Sequence, residues 1–443
     1  MADLAGLRRS ARRILDAAIA TGDAGVLTRR ALQRDGSRLR VGGRAFDLGR
    51  IRRVIAVGAG KASGTMADAA ETVLDGVPVE GLVAVKEPRD PGPRRVRLVV
   101  AGHPIPDARG EAAAADILQL ARDAGPEDLV LCLISGGGSA LTPAPVSGVT
   151  LAEKQAVTRL LLECGATINE LNAVRKHLSR MKGGQLARAA HPAPVVALLL
   201  SDVIGDPLDV IASGPTAPDP TTFSDALAIL DRFGLRARVP ASVLAHLEAG
   251  AHGQVKDTPK PGDPALTGVT NVLIGNNGLV VDAAVEEARR LGLAPCLLTR
   301  RLQGEAREVA RMFGAILDEI ARSGSPVTRP ACLIAGGETT VTVQGAGTGG
   351  RCQEFALALV PELAAMQDVV VLAAGTDGSD GPTAAAGAIA DPNTLERAHG
   401  KGLDARRALT ENDAHPFFAA LDDLVVTGPT GSNLMDLYLG LIG

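Results

Sequence analysis

Short apolar runs, each followed by a turn and then by a helical pattern, recur along the first half of this sequence and constrain its fold most. Buried parallel strands are continuous apolar runs of this length, and the helices that connect them cover the sheet. The runs span Arg53–Val57, Leu82–Val85, Arg97–Val100, Leu129–Ile134 and Val195–Leu200. The pattern therefore predicts an α/β protein whose first domain is a Rossmann-like, doubly wound parallel sheet.

The chain has 443 residues, which at about 150 residues per domain indicates two or three domains, and we choose two. The segment Gly250–Gly268 is polar, rich in proline and glycine and without periodicity, so it is the best candidate for a linker. We therefore predict a first domain over residues 1–250, a linker over 251–268 and a second domain over 269–443.

The second half predicts a different mixture of elements. Helical periodicity covers Leu279–Leu291 and Glu305–Arg322. The apolar run Ala331–Ala335 is followed by two glycines and by Thr339–Val343, whose residues alternate as in a half-exposed strand. We expect these two runs to form an antiparallel hairpin. The second domain is therefore predicted to be mixed α/β, with the active site in the cleft between the domains.

Composition argues against several classes of protein. The 50 acidic and 46 basic side chains leave a net charge of -4, and the chain has seven Phe, one Tyr and no Trp. A nucleic-acid-binding protein needs a basic face or stacking aromatics, so no nucleic-acid partner is expected. No apolar run approaches the roughly 18 residues of a membrane span. Five scattered cysteines and an N-terminus without a signal-peptide pattern predict a cytoplasmic protein with reduced thiols.

The strongest single motif is the loop Ser135-Gly136-Gly137-Gly138-Ser139, directly after the run Leu129–Ile134. Open α/β sheets bind ligands at the carboxyl ends of their strands. Three glycines allow backbone N–H groups to turn around an anion, and the serines add hydroxyl donors. The loop is therefore predicted to bind phosphate or carboxylate, against the alternative of a flexible turn.

Two cations stand where a helix begins. Lys61 follows Gly60 and precedes the predicted helix Ser63–Leu74, and Arg351 precedes the helical segment Gln353–Met366. A positive charge at a helix N-terminus interacts unfavourably with the helix dipole, and this interaction costs roughly 0.3–1 kcal/mol. A shared anionic ligand would compensate both charges, whereas a solvated lysine at a helix end is the alternative for Lys61.

The glycine run Gly345–Gly350, just before Arg351, formally matches the dinucleotide-binding pattern G-x-G-x-x-G. That pattern needs a buried parallel strand in front of it. The alternating Thr339–Val343 run predicts a hairpin strand instead, so we expect no dinucleotide site here.

Acidic residues cluster after the run Val195–Leu200. Asp202, Asp206 and Asp209 lie within one loop, and Asp219 follows a few residues later. Carboxylates at a sheet edge could hold Mg²⁺, or one could accept a proton from a substrate hydroxyl, although solvated loop aspartates are the alternative. We single out Asp202 for catalysis or metal binding and Asp206 for metal binding.

Further loops follow strands in the second half, and we expect Asn276 and Asp377 to contact the ligand from two of them. A third such loop spans Thr427–Asn433. His103 and His177 are isolated and are predicted to be structural.

These loops together resemble the glycerate 2-kinase family, whose members combine a Rossmann-like domain with a MOFRL domain. The resemblance covers nearly the whole chain and rests on GAGKAS, GHPIPD, LISGGGSALTPAP, TLAEKQ, INELNAVRKHLSRMKGG, SDVIGDPLDVIASGPTAPD, GGETTVTV, GGRCQEFAL, AGTDGSDGPT and TGPTGSNLMDL. It implies that Lys61 and Arg351 meet the transferring phosphate, that Ser135–Ser139 bind anionic groups and that Asp202 lies in the cleft. The chain departs from the family pattern at Ala384 and at Ala414-His415, which bears on substrate range.

The resemblance implies phosphorylation of D-glycerate at its 2-hydroxyl with ATP and Mg²⁺. Two other functions remain open from the sequence. One is an NAD(P)H-dependent hydroxypyruvate reductase, a name that similar sequences have carried. The other is a regulatory module that binds a small anion without turnover.

Overall fold

A computed structural model describes residues 3–443. Within these residues the helices are α1 (Leu4–Thr21), α2 (Ala24–Ala31), α3 (Ser63–Val73), α4 (Ala108–Arg122), α5 (Gly138–Leu141), α6 (Leu151–Glu163), α7 (Ile168–His177), α8 (Gln185–Ala190), α9 (Phe223–Arg232), α10 (Ala241–Ala251), α11 (Asn277–Arg290), α12 (Ala306–Ser323), α13 (Arg351–Leu363), α14 (Thr394–Gly400), α15 (Ala405–Thr410) and α16 (Ala414–Leu421). The strands are β1 (Gln33–Asp35), β2 (Arg38–Val41), β3 (Arg44–Asp47), β4 (Val54–Ala59), β5 (Val79–Val85), β6 (Val96–Val100), β7 (Leu129–Ile134), β8 (Val195–Leu200), β9 (Val269–Gly275), β10 (Ala294–Leu302), β11 (Ala331–Gly337), β12 (Val369–Gly375), β13 (Gly387–Ala390), β14 (Leu424–Val425) and β15 (Asp436–Ile442).

The first compact unit, Ala24–Ile274, is built around a six-stranded sheet in the order β6-β5-β4-β7-β8-β9. β4 pairs in parallel with β5 and β7, and β7 pairs in parallel with β8. Helix α4 packs against β4 on the side of Ile55 and Val57, and the opposite-face residues Val54 and Ala56 are buried as well. The predicted Rossmann-like parallel sheet is confirmed.

Parallel pairing decides where the loops of this unit lie. Because β4, β7 and β8 are neighbours and run in the same direction, the chain leaves all three at the same edge of the sheet. The loops that follow them begin at Gly60, Ser135 and Ser201. Three of the predicted site segments are thus brought together by strand direction alone.

The second compact unit joins residues up to Asp23 with Gly275–Gly443. Its sheet has the order β10-β11-β15-β12-β13-β14 and is mixed, because β10 pairs with β11 in parallel whereas β15 is antiparallel to both β11 and β12. Helices α12 and α13 pack against this sheet through Phe313 and Phe355, whose ring centroids are 5.4 Å apart. The predicted mixed α/β character is confirmed, as are the helices expected at Leu279–Leu291 and Glu305–Arg322.

The predicted hairpin of Ala331–Ala335 with Thr339–Val343 is wrong. Both edges of β11 are already occupied, by β10 on one side and by β15 on the other. Residues 339–343 form no strand, and Thr340 makes only an isolated parallel bridge to Glu305. The alternating pattern therefore forms no sheet strand, because β15 takes the position beside β11.

The limits of the compact units differ from the predicted domain limits. Helix α1 packs against α11, and β9 completes the first sheet. The predicted linker is irregular but is bound to the first unit through hydrogen bonds from His177 to Asp257 (2.9 Å) and from Arg188 to Asp263 (3.0 Å). Compactness does not test independent folding, so the limits 1–250, 251–268 and 269–443 stay predictions. Among residues 3–443, no helix combines the length and the apolar composition needed to span a bilayer.

Candidate active site

Backbone hydrogen bonds join the loops that follow β4 and β7. The Lys61 amide donates to the Gly136 carbonyl at 2.9 Å, and the Ala62 amide donates to the Ser135 Oγ at 3.0 Å. Gly60 allows this approach, because it has a φ of 151° and a Cβ there would overlap the Ser135 hydroxyl. Ser135 is 2% exposed, so its hydroxyl joins the loops, and direct ligand binding by Ser135 stays a prediction.

The amides of the glycine loop are available to a ligand. Within residues 3–443, the N–H groups of Gly136 and Gly137 donate to no acceptor. Gly137 has a left-handed φ of 84°, and a Cβ on Gly138 would lie 2.7 Å from the Ala59 carbonyl oxygen. Successive amides in such a conformation form a concave anion-binding nest. The geometry therefore fits the predicted phosphate or carboxylate site better than a flexible turn.

Asp202 lies against this nest. A Cβ on Gly136 would overlap the Asp202 Oδ2 and would lie 2.8 Å from its Cγ. The structure thus brings together Lys61, the three glycines and Asp202, which the sequence placed in three separate loops.

Replacement of Gly136 by alanine tests this arrangement. The new methyl group would displace the Asp202 carboxylate from its place beside the loop, so we expect activity to fall about tenfold, with a loss of about 1 kcal/mol or less in the free energy of unfolding. Gly400→Ala is the control, because no atom lies within 4 Å of a Cβ at that position. Steady-state rates and thermal unfolding of both variants measure the effect. Unchanged activity in Gly136→Ala would show that the position of Asp202 does not matter.

His103 also belongs to this group, although the sequence predicted a structural role. A Cβ on Gly137 would lie 2.8 Å from the His103 Nε2 and 3.6 Å from the Lys61 Cγ. Burial, followed by the charges of Lys61 and Lys86, lowers the pKa of His103. Its imidazole is therefore neutral at pH 7 and above. The sequence position of His103 could have predicted this, because His103 lies just after β6, and β6 ends at the same edge of the sheet.

The remaining acidic residues of the first unit have other partners. The buried Lys176 ammonium, whose side chain is 2% exposed, lies 3.0 Å from the Asp209 carboxylate and 3.3 Å from that of Asp219. Asp206 has a left-handed φ of 57°. No group of three or more His, Cys, Asp or Glu side chains in residues 3–443 could hold a metal by itself. Metal binding by Asp202 and Asp206 stays a prediction.

Arg351, the first residue of α13, is held by carboxylates of its own unit. Its guanidinium makes two hydrogen bonds to Asp436, at 2.5 and 2.9 Å, and lies 3.2 Å from Glu338. Burial by itself would lower the pKa of Arg351, but the hydrogen bonds and the charge of Asp436 outweigh it and raise the pKa. The charge that compensates Arg351 is therefore supplied by the protein, contrary to the argument that it required a bound anion.

Asn276 and Asp377 occupy strand ends in the second unit. The Asn276 side chain caps α11 by accepting from the Leu279 amide at 3.2 Å. Asp377 follows β12 and accepts from the amide and the hydroxyl of Ser379, both at 3.0 Å. These contacts give both residues a structural role, and their binding of a ligand stays a prediction.

The glycine run Gly345–Gly350 lacks the surroundings of a dinucleotide-binding loop. No strand directly precedes it, and two of its amides are already used: that of Gly345 donates to the Asn412 side chain, and that of Gly347 donates to the Glu411 carbonyl. The hairpin that was the reason for expecting no dinucleotide site does not exist, so that expectation stays a prediction.

Comparison with known proteins identifies the family. A family model described as a domain of unknown function (DUF4147) matches residues 10–248, and the MOFRL family model matches residues 331–436. The glycerate 2-kinase of Pyrococcus horikoshii is 38% identical over 437 residues, which cover 98% of this chain and 97% of that protein. This chain belongs to the glycerate kinase family.

The fold of the family is shared as well. The crystal structure of glycerate kinase from Thermotoga maritima matches with a TM-score of 0.86 at 39% identity, over 99% of this chain and 100% of that one. A protein of Agrobacterium vitis, provisionally named hydroxypyruvate reductase, is 43% identical over 396 residues, which cover 88% of this chain and 100% of that protein. The resemblance seen in the motifs is confirmed, and relatives carry the names of both enzymes considered from the sequence.

Proposed function

We propose that this chain transfers the γ-phosphoryl group of ATP to the 2-hydroxyl of D-glycerate, giving 2-phosphoglycerate and ADP. The observation that carries the proposal is full-length similarity to a glycerate 2-kinase. The amide nest beside Lys61 supports it, because phosphoryl transfer depends on positioning and on neutralising the charge of the phosphate oxygens.

In this proposal the first unit binds the transferring phosphate. The amides of Gly136 and Gly137 donate to phosphate oxygens, and the Lys61 ammonium neutralises the charge that builds up on them. The hydroxyl oxygen of glycerate forms the new bond to phosphorus as the bond to the ADP oxygen breaks. The hydroxyl proton passes to a carboxylate, for which Asp202 is our candidate.

Asp202 is also our candidate ligand for Mg²⁺. Proteins usually hold Mg²⁺ by one or two carboxylates together with substrate phosphates, so a single carboxylate beside an anion nest fits this ion. When bound, Mg²⁺ would supply further neutralisation of the phosphate charge.

We assign Arg351 as the second cation that contacts the transferring phosphate. Its side chain is 29% exposed, and the two hydrogen bonds to the buried Asp436 fix the plane of its guanidinium. An arginine held in this way can donate its remaining N–H groups to phosphate at little cost in side-chain entropy. The location of the active site in a cleft between the domains stays a prediction.

The test is to incubate the purified chain with ATP, Mg²⁺ and D-glycerate and to follow the products by phosphorus NMR. We expect ADP and 2-phosphoglycerate to appear together in equal amounts. A parallel sample with hydroxypyruvate and NADH should keep its absorbance at the nicotinamide band. Formation of 3-phosphoglycerate would contradict the 2-hydroxyl assignment, and oxidation of NADH without ADP release would replace the kinase by a reductase.

A further inference from the structure

A cavity of about 500 Å³ opens between α6, α7 and the loop that follows β6. Its mouth is apolar, because Ile105, Leu162 and Ile168 are 73%, 61% and 56% exposed. Large aliphatic side chains exposed together around a cavity are typical of a binding site rather than of ordinary surface.

The floor of the same cavity is cationic. It contains Lys154 and Lys182, which are 4% and 2% exposed, and the partly buried Arg175. Lys182 donates to the Ser139 carbonyl at 2.8 Å and to its hydroxyl at 2.9 Å, and Arg175 donates to the same hydroxyl at 2.6 Å. Lys154 donates to the Leu178 carbonyl at 2.9 Å. Three basic side chains therefore share one small region.

No carboxylate of residues 3–443 forms an ion pair with Lys154, Arg175 or Lys182, and each of the three bonds only to uncharged oxygens. Buried cations of this kind are costly unless an anion pairs with them. Burial, and then the charge of Arg175, lowers the pKa of Lys154 and of Lys182 well below that of an ordinary lysine. An anion bound in the cavity would oppose this effect and favour the charged form of both lysines.

We propose that this cavity binds the nucleoside triphosphate, with its polyphosphate on Lys154, Arg175 and Lys182 and its base between the aliphatic side chains at the mouth. The inference rests on the proposed kinase function. Three cations suit a polyphosphate better than the single carboxylate of a three-carbon acid, which would also fill little of about 500 Å³.

The connection to the active site supports this assignment. Ser139, which both Lys182 and Arg175 contact, is the last residue of the glycine loop whose amides we assign to the transferring phosphate. A polyphosphate that starts in the cavity would therefore lead toward the amides of Gly136 and Gly137. The aliphatic mouth also fits the absence of Trp from the chain, since a base can be held by aliphatic contacts alone.

The test uses two variants of the full chain, one for each part of the cavity. Arg175→Met removes one charge from the floor, and Leu162→Ser removes an exposed apolar contact from the mouth. ADP binding is measured by calorimetry, binding of tripolyphosphate is measured by its competition with ADP, and Michaelis constants are measured for both substrates. Arg122→Met and Met312→Ser are controls, because Arg122 is exposed and Met312 is 52% exposed, and neither lines the cavity.

We expect Arg175→Met to weaken ADP and tripolyphosphate binding at least tenfold and to raise the KM for ATP similarly, with less than a twofold change in the KM for glycerate. Leu162→Ser should weaken ADP binding several-fold and leave tripolyphosphate binding unchanged. A raised KM for glycerate with unchanged ADP binding would assign the cavity to the acid substrate and overturn the proposal, as would unchanged binding in both variants. ADP titration needs no turnover, so a chain that binds ADP as expected but forms no phosphoglycerate would contradict the kinase function and not the cavity.

Discussion

Replacement of Lys61 by methionine is expected to lower the kcat of glycerate phosphorylation by about 10²–10³-fold, the range found when one group that stabilises transition-state charge is removed. The backbone amide of Lys61, which donates to Gly136 at 2.9 Å, is kept in the variant. Methionine also keeps the apolar stem, whose Cγ would lie 3.6 Å from a Cβ on Gly137. The substitution therefore removes the ammonium together with the contacts that it makes, and the free energy of unfolding should stay within about 1 kcal/mol of the parent.

Kinetic constants separate the proposed role of Lys61 from simple attraction of the substrate. A cation that acts mainly in the transition state affects kcat more than KM, whereas one that only attracts ATP raises KM. Lys256→Met is the control, because Lys256 is an exposed lysine of the same unit. A Lys61→Met variant with a kcat within about threefold of the parent would remove Lys61 from the catalytic machinery.

Strand direction explains why the sequence predicted this part of the site well. The runs that became β4, β7 and β8 are fully buried, as continuous apolar sequences of that length predict. Once they are parallel neighbours, Lys61, the glycine loop and Asp202 must meet at one edge. The apolar pattern of the strands, together with the rule that parallel strands end at the same edge of a sheet, was sufficient to predict that these residues meet.

Contacts between distant residues account for what the sequence did not predict. The hairpin at Thr339–Val343 failed because β15, near the end of the chain, occupies the position beside β11. The partner of Arg351 is Asp436, 85 residues further along the chain, and no local pattern pairs them. The cations of the cavity floor are dispersed over two helices and a turn, where each resembles an ordinary surface charge until burial is known.

Replacement of Asp436 by asparagine is expected to cost about 3 kcal/mol in the free energy of unfolding, because it leaves the partly buried guanidinium of Arg351 without its main partner. Asp436 is 0% exposed and also accepts a hydrogen bond from the Tyr438 hydroxyl at 3.0 Å. Asparagine offers one acceptor where the carboxylate offered two, and its amide hydrogens would face the donors of Arg351. Urea unfolding measures the loss.

Two further variants show whether the loss comes from the ion pair. Asp318→Asn should cost at most about 0.5 kcal/mol, because its pair with Arg322 is exposed at 36% and 72%. The double variant Arg351→Met, Asp436→Leu should regain at least half of the loss, since an apolar pair leaves no charge unpaired, and Tyr438 keeps its hydrogen bond to Thr339 at 2.9 Å. If Asp436→Asn unfolds within about 0.5 kcal/mol of the parent, Glu338 is sufficient to hold Arg351, and Asp436 is not needed to position this cation for the phosphate.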